Sequence, residues 1–277
     1  MMGFKFDGIH CSNFGIVLRS KKRPVVPEPK IVKEDLPFRN GTYDFSASNP
    51  YGHIMYKDRE ISVECTVVTD GICSLRRISR EIAAWLGGKE APLVFDDESH
   101  VFYIGRVSNR IDFEQQISKL GSFTVVFTCH PFAYGSSVSG EIPSYGEGIF
   151  YGDHALYGGY NIFSANGDGV VPCVQNEPHL FKVYNFGWYV KPKIVISGSF
   201  ENIRIGFSDL HLSYDGALSG GSFAFDCEKE MTIQNGMNIT NACCGTFFEL
   251  APGENILSLE ADSIDCDMFF VFRNLYL

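Results

Sequence analysis

The stretch YGEGIFYGDHALYGGYNI, residues 145–162, falls into three six-residue lines, each opening on Tyr-Gly: Tyr145-Gly146, Tyr151-Gly152 and Tyr157-Gly158. In an extended chain a spacing of six puts Tyr145, Tyr151 and Tyr157 on one face, because strand side chains alternate with period two. A row of phenols can stack on sugar rings or pack into a protein interface. A hairpin or strap covering the chain's own core would show the same pattern, and the glycines equally permit a looped excursion. Contact with a partner or a glycan is the chemistry these three residues could do.

Other chemistry is thinly represented. Asp226, Glu228 and Glu230 alternate in FDCEKE and would share a strand face that could hold a cation, while Asp262, Asp265 and Asp267 crowd a loop. Calcium takes about six to eight oxygens from a suitably turned backbone, and neither patch has the EF-hand spacing or its glycine, so both read as solvated surface. Glycoside hydrolysis needs two carboxyls across a groove, and no such pair can be picked out. There is no nucleophile elbow, P-loop, dinucleotide fingerprint or H-E-x-x-H. The seven histidines, at 10, 53, 100, 130, 154, 179 and 211, lack ligand spacing. The expectation is a protein that is not an enzyme and has no catalytic residue, no metal site and no cofactor.

Nine cysteines stand at 11, 65, 73, 129, 173, 227, 243, 244 and 266, an odd number without a C-x-x-C pair. Cys65 in ISVECTVV and Cys129 in FTVVFTC alternate within apolar strands, the pattern of buried reduced thiols rather than of a disulfide framework. The vicinal pair Cys243-Cys244 can be read either way. Up to residue 135 the chain carries 17 Lys+Arg against 16 Asp+Glu, a net of +1; beyond it, 6 against 17, a net of −11. An acidic second half argues against nucleic-acid binding, which needs cations to displace counterions from phosphate. The start, MMGFKFDGIHCSNF, has no apolar stretch behind a basic head, and apolar runs such as VFYI and FFVF stay far shorter than a span. These imply no membrane span and a soluble chain made in the cytoplasm.

The elements that must position such residues are mainly strands. With 277 residues, 24 Phe, 13 Tyr and 45% apolar composition, two packed domains are expected. FKFDGI and FGIVLRS read as short strands. KKRPVVPEPKIVKEDLPF contains Pro24, Pro27, Pro29 and Pro37 and can be neither a helix nor a central strand, so it reads as an extended arm or long loop, for which reaching a neighbouring subunit is one way to become ordered. ISVECTVV is a strand. CSLRRISREIAAWLGG is a helix with Ser74 at its N-cap, an apolar stripe of Leu75, Ile78, Ile82, Trp85 and Leu86, and Gly87-Gly88 as terminator. APLVFDD, VFYIGRVS and GSFTVVFTCHPFAYG complete a β domain over 1–133. A Tyr/Gly-rich linker or insertion follows over 134–177. Residues 178–277 read as strands only, HLFKVYNFG, KPKIVISGSF, ENIRIGF, SFAFDCEKEMTIQ, TFFELAPGENILSLEA and DMFFVFRNLYL, with turns at SDL, GALSGGS, NGMN and APGEN; this fits an antiparallel sandwich.

The order of these features resembles the distal tail proteins of bacteriophages with long, non-contractile tails. In the first domain the resemblance is carried by FKFDGIHCSNFGI, the basic Pro-rich arm, RNGTYDF, the helix, PLVFDD, VFYIGRV and FTVVFTCHPFAYG. In the second it is carried by YNFGWYVKPKIVISGS, with Asn185, Gly187 and Pro192, then FDCEKEMTIQNG and LAPGENIL, which look like that family's galectin-like sandwich. The resemblance implies a structural baseplate hub in the virion tail tip, assembled in the bacterial host cytoplasm. It would form a homo-hexameric ring between the tail-tube protein and the tail-tip protein, with receptor-binding or other baseplate proteins attached. Residues 136–177 have no counterpart in that pattern. The rival expectation is a carbohydrate-binding adsorption protein recognising host cell-surface polysaccharide through Tyr145, Tyr151 and Tyr157. Galactose sites combine a Trp platform with His, Asn, Arg and Glu; the second domain has only Trp188 and six Lys+Arg, so no lectin site is assigned there.

Overall fold

The structure is a computed structural model that describes residues 3–112, 114–117, 120–140, 161–165 and 179–277. The chain is mainly β and divides into two compact units, Met1–Tyr134 with Leu277, and Gly135–Tyr276.

The first unit contains β1 (Phe4–Phe6), β2 (Ile9–His10), β3 (Ile16–Lys22), β4 (Lys33–Asp35), β5 (Thr42–Asp44), β6 (Arg59–Val68), α1 (Ile72–Leu86), β7 (Ala91–Phe95), β8 (Val101–Val107), β9 (Glu114–Ile117) and β10 (Leu120–Cys129), with β11 (Ala133–Gly135) at its boundary. The main sheet runs β2-β1-β7-β8-β10-β6-β3, and β4 and β5 pair only with each other. Alternation explains the core. Ile61, Val63, Cys65 and Val67 of β6 and Phe123, Val125, Phe127 and Cys129 of β10 point inward, all at most 5% exposed. They meet Phe4 and Phe6 of β1 and the helix. Trp85 stacks on Phe14 with centroids 4.7 Å apart and donates its indole N–H to the Phe6 carbonyl at 3.0 Å.

The helix forms with its apolar stripe inward, Leu75, Ile82, Trp85 and Leu86 being buried. Its start differs from the sequence expectation. Ser74 is not the N-cap: the helix begins at Ile72 after Gly71, and no side chain caps it. The Leu75 amide already donates to the Gly71 carbonyl at 3.0 Å, and Thr69 donates its hydroxyl to the same carbonyl at 3.1 Å. Only Thr69, Asp70 and Gly71 separate β6 from α1, so this short connection sets the first turn and leaves Ser74 inside it.

The second unit contains β12 (Ile162–Ala165), β13 (His179–Asn185), β14 (Lys193–Phe207), β15 (Leu210–Asp226), β16 (Met231–Gln234), β17 (Met237–Asn238), β18 (Cys243–Gly245), β19 (Gly253–Glu260), β20 (Ser263–Val271) and β21 (Leu275–Tyr276). Its pairings are antiparallel in the order β12-β20-β14-β15-β16-β17, with β19 joining β13 to β14 and β18 flanking β15. Inward residues such as Ile194, Ile196, Ile205, Phe223, Phe225, Leu257 and Phe270 form one core.

Three expectations are corrected here. KPKIVISGSF and ENIRIGF are one strand, β14, whose register shifts between Ser197 and Ser199 and between Glu201 and Ile203. GALSGGS, read as a turn, lies inside β15, where Gly220 and Gly221 have φ of +71° and +120°. β-Bulges explain both: they accept an extra residue without ending the ladder, and glycine at positive φ is their usual occupant. The acidic patches also resolve differently. β15 ends at Asp226, which is 6% exposed and accepts the Lys229 amide at 3.0 Å, so Asp226, Glu228 and Glu230 do not share a strand face. Asp265 and Asp267 lie on β20, and only Asp262 is in the preceding turn. Among the described residues no group of three His, Cys, Asp or Glu could hold a metal ion.

Burial pushes the thiols of Cys65, Cys129 and Cys227 up to about 12, so they are neutral and shielded in the folded chain, whereas Cys73 and Cys244 are exposed. Iodoacetamide at pH 8 should therefore label Cys73 and Cys244 first and leave Cys65, Cys129 and Cys227 unmodified until denaturant is added, read by peptide mass spectrometry. Phe127→Ala, which opens a cavity against Phe4 and Phe6, should destabilise the first unit by about 3–5 kcal/mol, read as a lowered urea midpoint.

Candidate assembly surface

Between β3 and β6 the chain leaves the sheet as an arm, residues 23–58. Its four prolines keep it out of the main sheet, and it folds back on itself instead. Pro29 bridges Tyr56, the Lys30 amide donates to the Met55 carbonyl and the Lys57 amide to the Glu28 carbonyl, both at 2.8 Å. Further out, β4 and β5 pair Lys33 with Asp44, Glu34 with Tyr43 and Asp35 with Thr42. Ser46 locks the pair by accepting the Val32 amide on its hydroxyl at 2.9 Å while its own amide donates to the Asp44 carboxylate at 2.9 Å. The sequence expectation of an extended arm thus becomes, more specifically, a two-stranded ribbon.

A two-stranded ribbon has no interior, and its apolar side chains stay in solvent. Val25, Val26, Ile31, Val32, Leu36 and Phe38 on the outgoing half and Tyr43, Phe45, Tyr51 and Ile54 on the returning half are all exposed; only Pro27 and Ser46 are buried. Phe38 at the tip is fully exposed at 110% and sits at φ +66°, a left-handed conformation that bulky residues avoid. Isolated two-stranded hairpins are marginal in water, and an apolar surface of this extent on one element marks an interaction site. Full burial of a Val, Ile or Phe side chain contributes about 1.5–3 kcal/mol, so a partner covering the arm would recover several such terms.

The root of the arm is held by charge. Lys21 pairs with Asp97, and Arg23 lies 2.6 Å from Glu98 and 3.9 Å from Asp97; both cations sit over the Phe95 ring at 5.3 and 5.5 Å. Arg59, at the arm's return, is 2% exposed, lies over the Tyr103 ring at 5.5 Å and donates Nη1 to the Pro24 carbonyl at 3.3 Å. The two ends of the arm are therefore tied to each other and to β7 and β8. For Asp97, burial is the largest single influence and raises the carboxyl pKa, but the Lys21 hydrogen bond with the Lys21 and Arg23 charges outweighs it, and the net shift is downward. The Tyr103 phenol is pushed up by burial, against the lowering effect of Arg23 and Arg59.

The residues singled out in the sequence for partner or glycan contact, Tyr145, Tyr151 and Tyr157, lie outside the described residues, as do the NGDG turn and Cys173. The root cluster was missed at the sequence level, although a signal existed: Arg59 takes the inward phase of the alternation that continues through Ile61, Val63 and Cys65.

Residues 9–129 match the family model of the phage tail protein RIFT-related domain. No curated protein matches the chain. Among solved structures, the crystal structure of the SPP1 Dit protein (gp 19.1), described as a paradigm of the hub adsorption apparatus in phages infecting Gram-positive bacteria, is similar in fold with a TM-score of 0.69 at 16% identity, covering 100% of this chain and 100% of that one.

The downward shift of Asp97 fixes the sign of an acid effect. A carboxylate whose folded pKa lies below its unfolded value of about 3.9 contributes stability above that pH and loses it as pH falls through the folded pKa. Unfolding midpoints measured below about pH 4 should therefore fall more steeply for the natural protein than for Asp97→Asn.

Proposed function

We propose that this chain, which carries a phage tail protein RIFT-related domain over residues 9–129 and has the fold of a distal tail protein along its whole length, is the structural hub of a siphophage tail tip. In this reading the first units assemble into a homo-hexameric ring that joins the tail-tube protein to the tail-tip protein, and receptor-binding or other baseplate proteins attach to it. The observation that carries the reading is the arm, an apolar ribbon without a core of its own, rooted in the edge of the sheet. A closed ring requires each subunit to present one surface and receive a different one, and a projecting ribbon offers the first of these. Sheet edges paired with a neighbouring subunit in such a ring would also be protected from aggregation. The near-neutral charge up to residue 135 and the net of −11 beyond it fit a protein-facing first unit and a solvent-facing second unit of galectin-like type.

Residues 134–177 are a linker or insertion in this proposal, and Tyr145, Tyr151 and Tyr157 meet a neighbouring protein. The rival reading gives those tyrosines a host cell-surface polysaccharide.

Negative-stain images of the purified chain, with a native mass, should show six-fold rings with a central opening. Replacing residues 23–58 by a short Gly-Ser link should abolish rings while both units stay folded by circular dichroism. Changing Tyr145, Tyr151 and Tyr157 together to Ala should leave glycan-array binding at background, as in the natural chain; saturable polysaccharide binding that the triple change removes would favour the adsorption reading.

A further inference from the structure

Asn-Gly pairs stand at 40–41, 166–167 and 235–236, and the first and last of them lie in described hairpins. At such a pair the backbone can attack its own side chain. The amide nitrogen that follows the asparagine closes a five-membered ring on Cγ, and glycine has no Cβ to obstruct the approach. How readily the ring closes depends on how firmly the fold holds the two groups that must meet, and the two hairpins differ in that respect.

Asn235 is held. It sits with Gly236 between β16 and β17 at φ of +49° and +81°. Its Oδ1 accepts the Ser222 amide at 3.0 Å, its own amide donates to the Ser222 carbonyl at 2.8 Å, and its carboxamide packs against Gly221. Asn40 has no such restraint. The arm turns at Leu36–Arg39, where the Arg39 amide donates to the Leu36 carbonyl at 3.3 Å, and Asn40 and Gly41 follow as exposed residues before β5. Among the described residues neither the Asn40 carboxamide nor the Gly41 amide makes a hydrogen bond, and the space around the Gly41 Cα is open at its φ of +78°. The ribbon behind the tip has no core of its own, so local opening there costs little.

We propose that Asn40 is a site of spontaneous covalent modification, at which the free chain converts to aspartate and isoaspartate. The Gly41 nitrogen forms a bond to the Asn40 Cγ, the Cγ–Nδ2 bond breaks, and Nδ2 leaves as ammonia with the proton lost from the Gly41 amide. Water then opens the cyclic imide, at Cγ to give aspartate or at the main-chain carbonyl to give isoaspartate. Either product adds a carboxylate to a ribbon that already carries Glu34, Asp35 and Asp44, and isoaspartate also inserts a methylene into the backbone two residues before Thr42, the partner of Asp35. The modified ribbon therefore pairs less well. The site belongs to the free subunit and does not depend on the ring reading.

The test holds the full chain at pH 8, below the concentration at which it assembles, and follows the lysine-specific peptides carrying Asn40 and Asn235 by mass spectrometry. Heavy-oxygen water marks the hydrolysis, and an isoaspartyl methyltransferase marks isoaspartate. In the folded chain Asn40 should convert about tenfold or more faster than Asn235, whose ring closure first requires two hydrogen bonds to break. In guanidinium the two rates should converge, and Asn40→Gln should remove the product at position 40 with unchanged circular dichroism. An Asn40 that stays intact in the folded chain, or that converts no faster than Asn235, overturns the proposal. A rate ratio that persists in guanidinium assigns the difference to flanking sequence and overturns the structural argument for it.

Discussion

The first unit depends on one ladder, the unbroken antiparallel pairing of β6 with β10 from Arg59 opposite Cys129 to Val68 opposite Leu120. A ten-residue register cannot slip by one position without turning Ile61, Val63, Phe127 and Val125 out of the core, so it is firmly specified. Everything distinctive in the unit hangs from its ends. The arm returns into the ladder at Arg59, and the helix leaves it after Val68. The arm's exit direction and the helix's first turn are therefore fixed by the same set of hydrogen bonds.

The arm inverts the usual economy of a strand pair. A hairpin normally lays one face on a core; this one has apolar residues along both halves and nothing of its own to cover them. What keeps it projecting is concentrated at the root, where Lys21, Arg23 and Arg59 meet Asp97, Glu98, Tyr103 and the Pro24 carbonyl. A buried guanidinium is a costly way to hold two chain segments together unless the geometry it enforces matters, because removing its partners leaves an uncompensated charge. In a hub subunit that geometry would be the angle at which a ribbon reaches its neighbour. The second unit shows the opposite strategy: two long strands, β14 and β15, absorb irregular residues in bulges rather than in loops, so a single core accommodates sequence that looks broken.

The sequence by itself determined the composition of the elements. Period-two alternation in ISVECTVV and FTVVFTC, the apolar stripe from Leu75 to Leu86, the four prolines of the arm and the buried state of Cys65 and Cys129 follow from local patterning, because side-chain periodicity and the missing proline donor act within a few residues. The order of those elements was enough for the resemblance to distal tail proteins. Tertiary structure alone decided what depends on pairing across distance. Gly220 and Gly221 look like turn residues until the partner strand shows that they are bulges; Ser74 looks like a cap until the length of the connection from β6 moves the helix start; and Arg59 looks like a surface charge until Pro24, 35 residues earlier, and Tyr103 close over it. In each case the deciding contact lies beyond the reach of local sequence, since it is made by a residue that only the fold brings near.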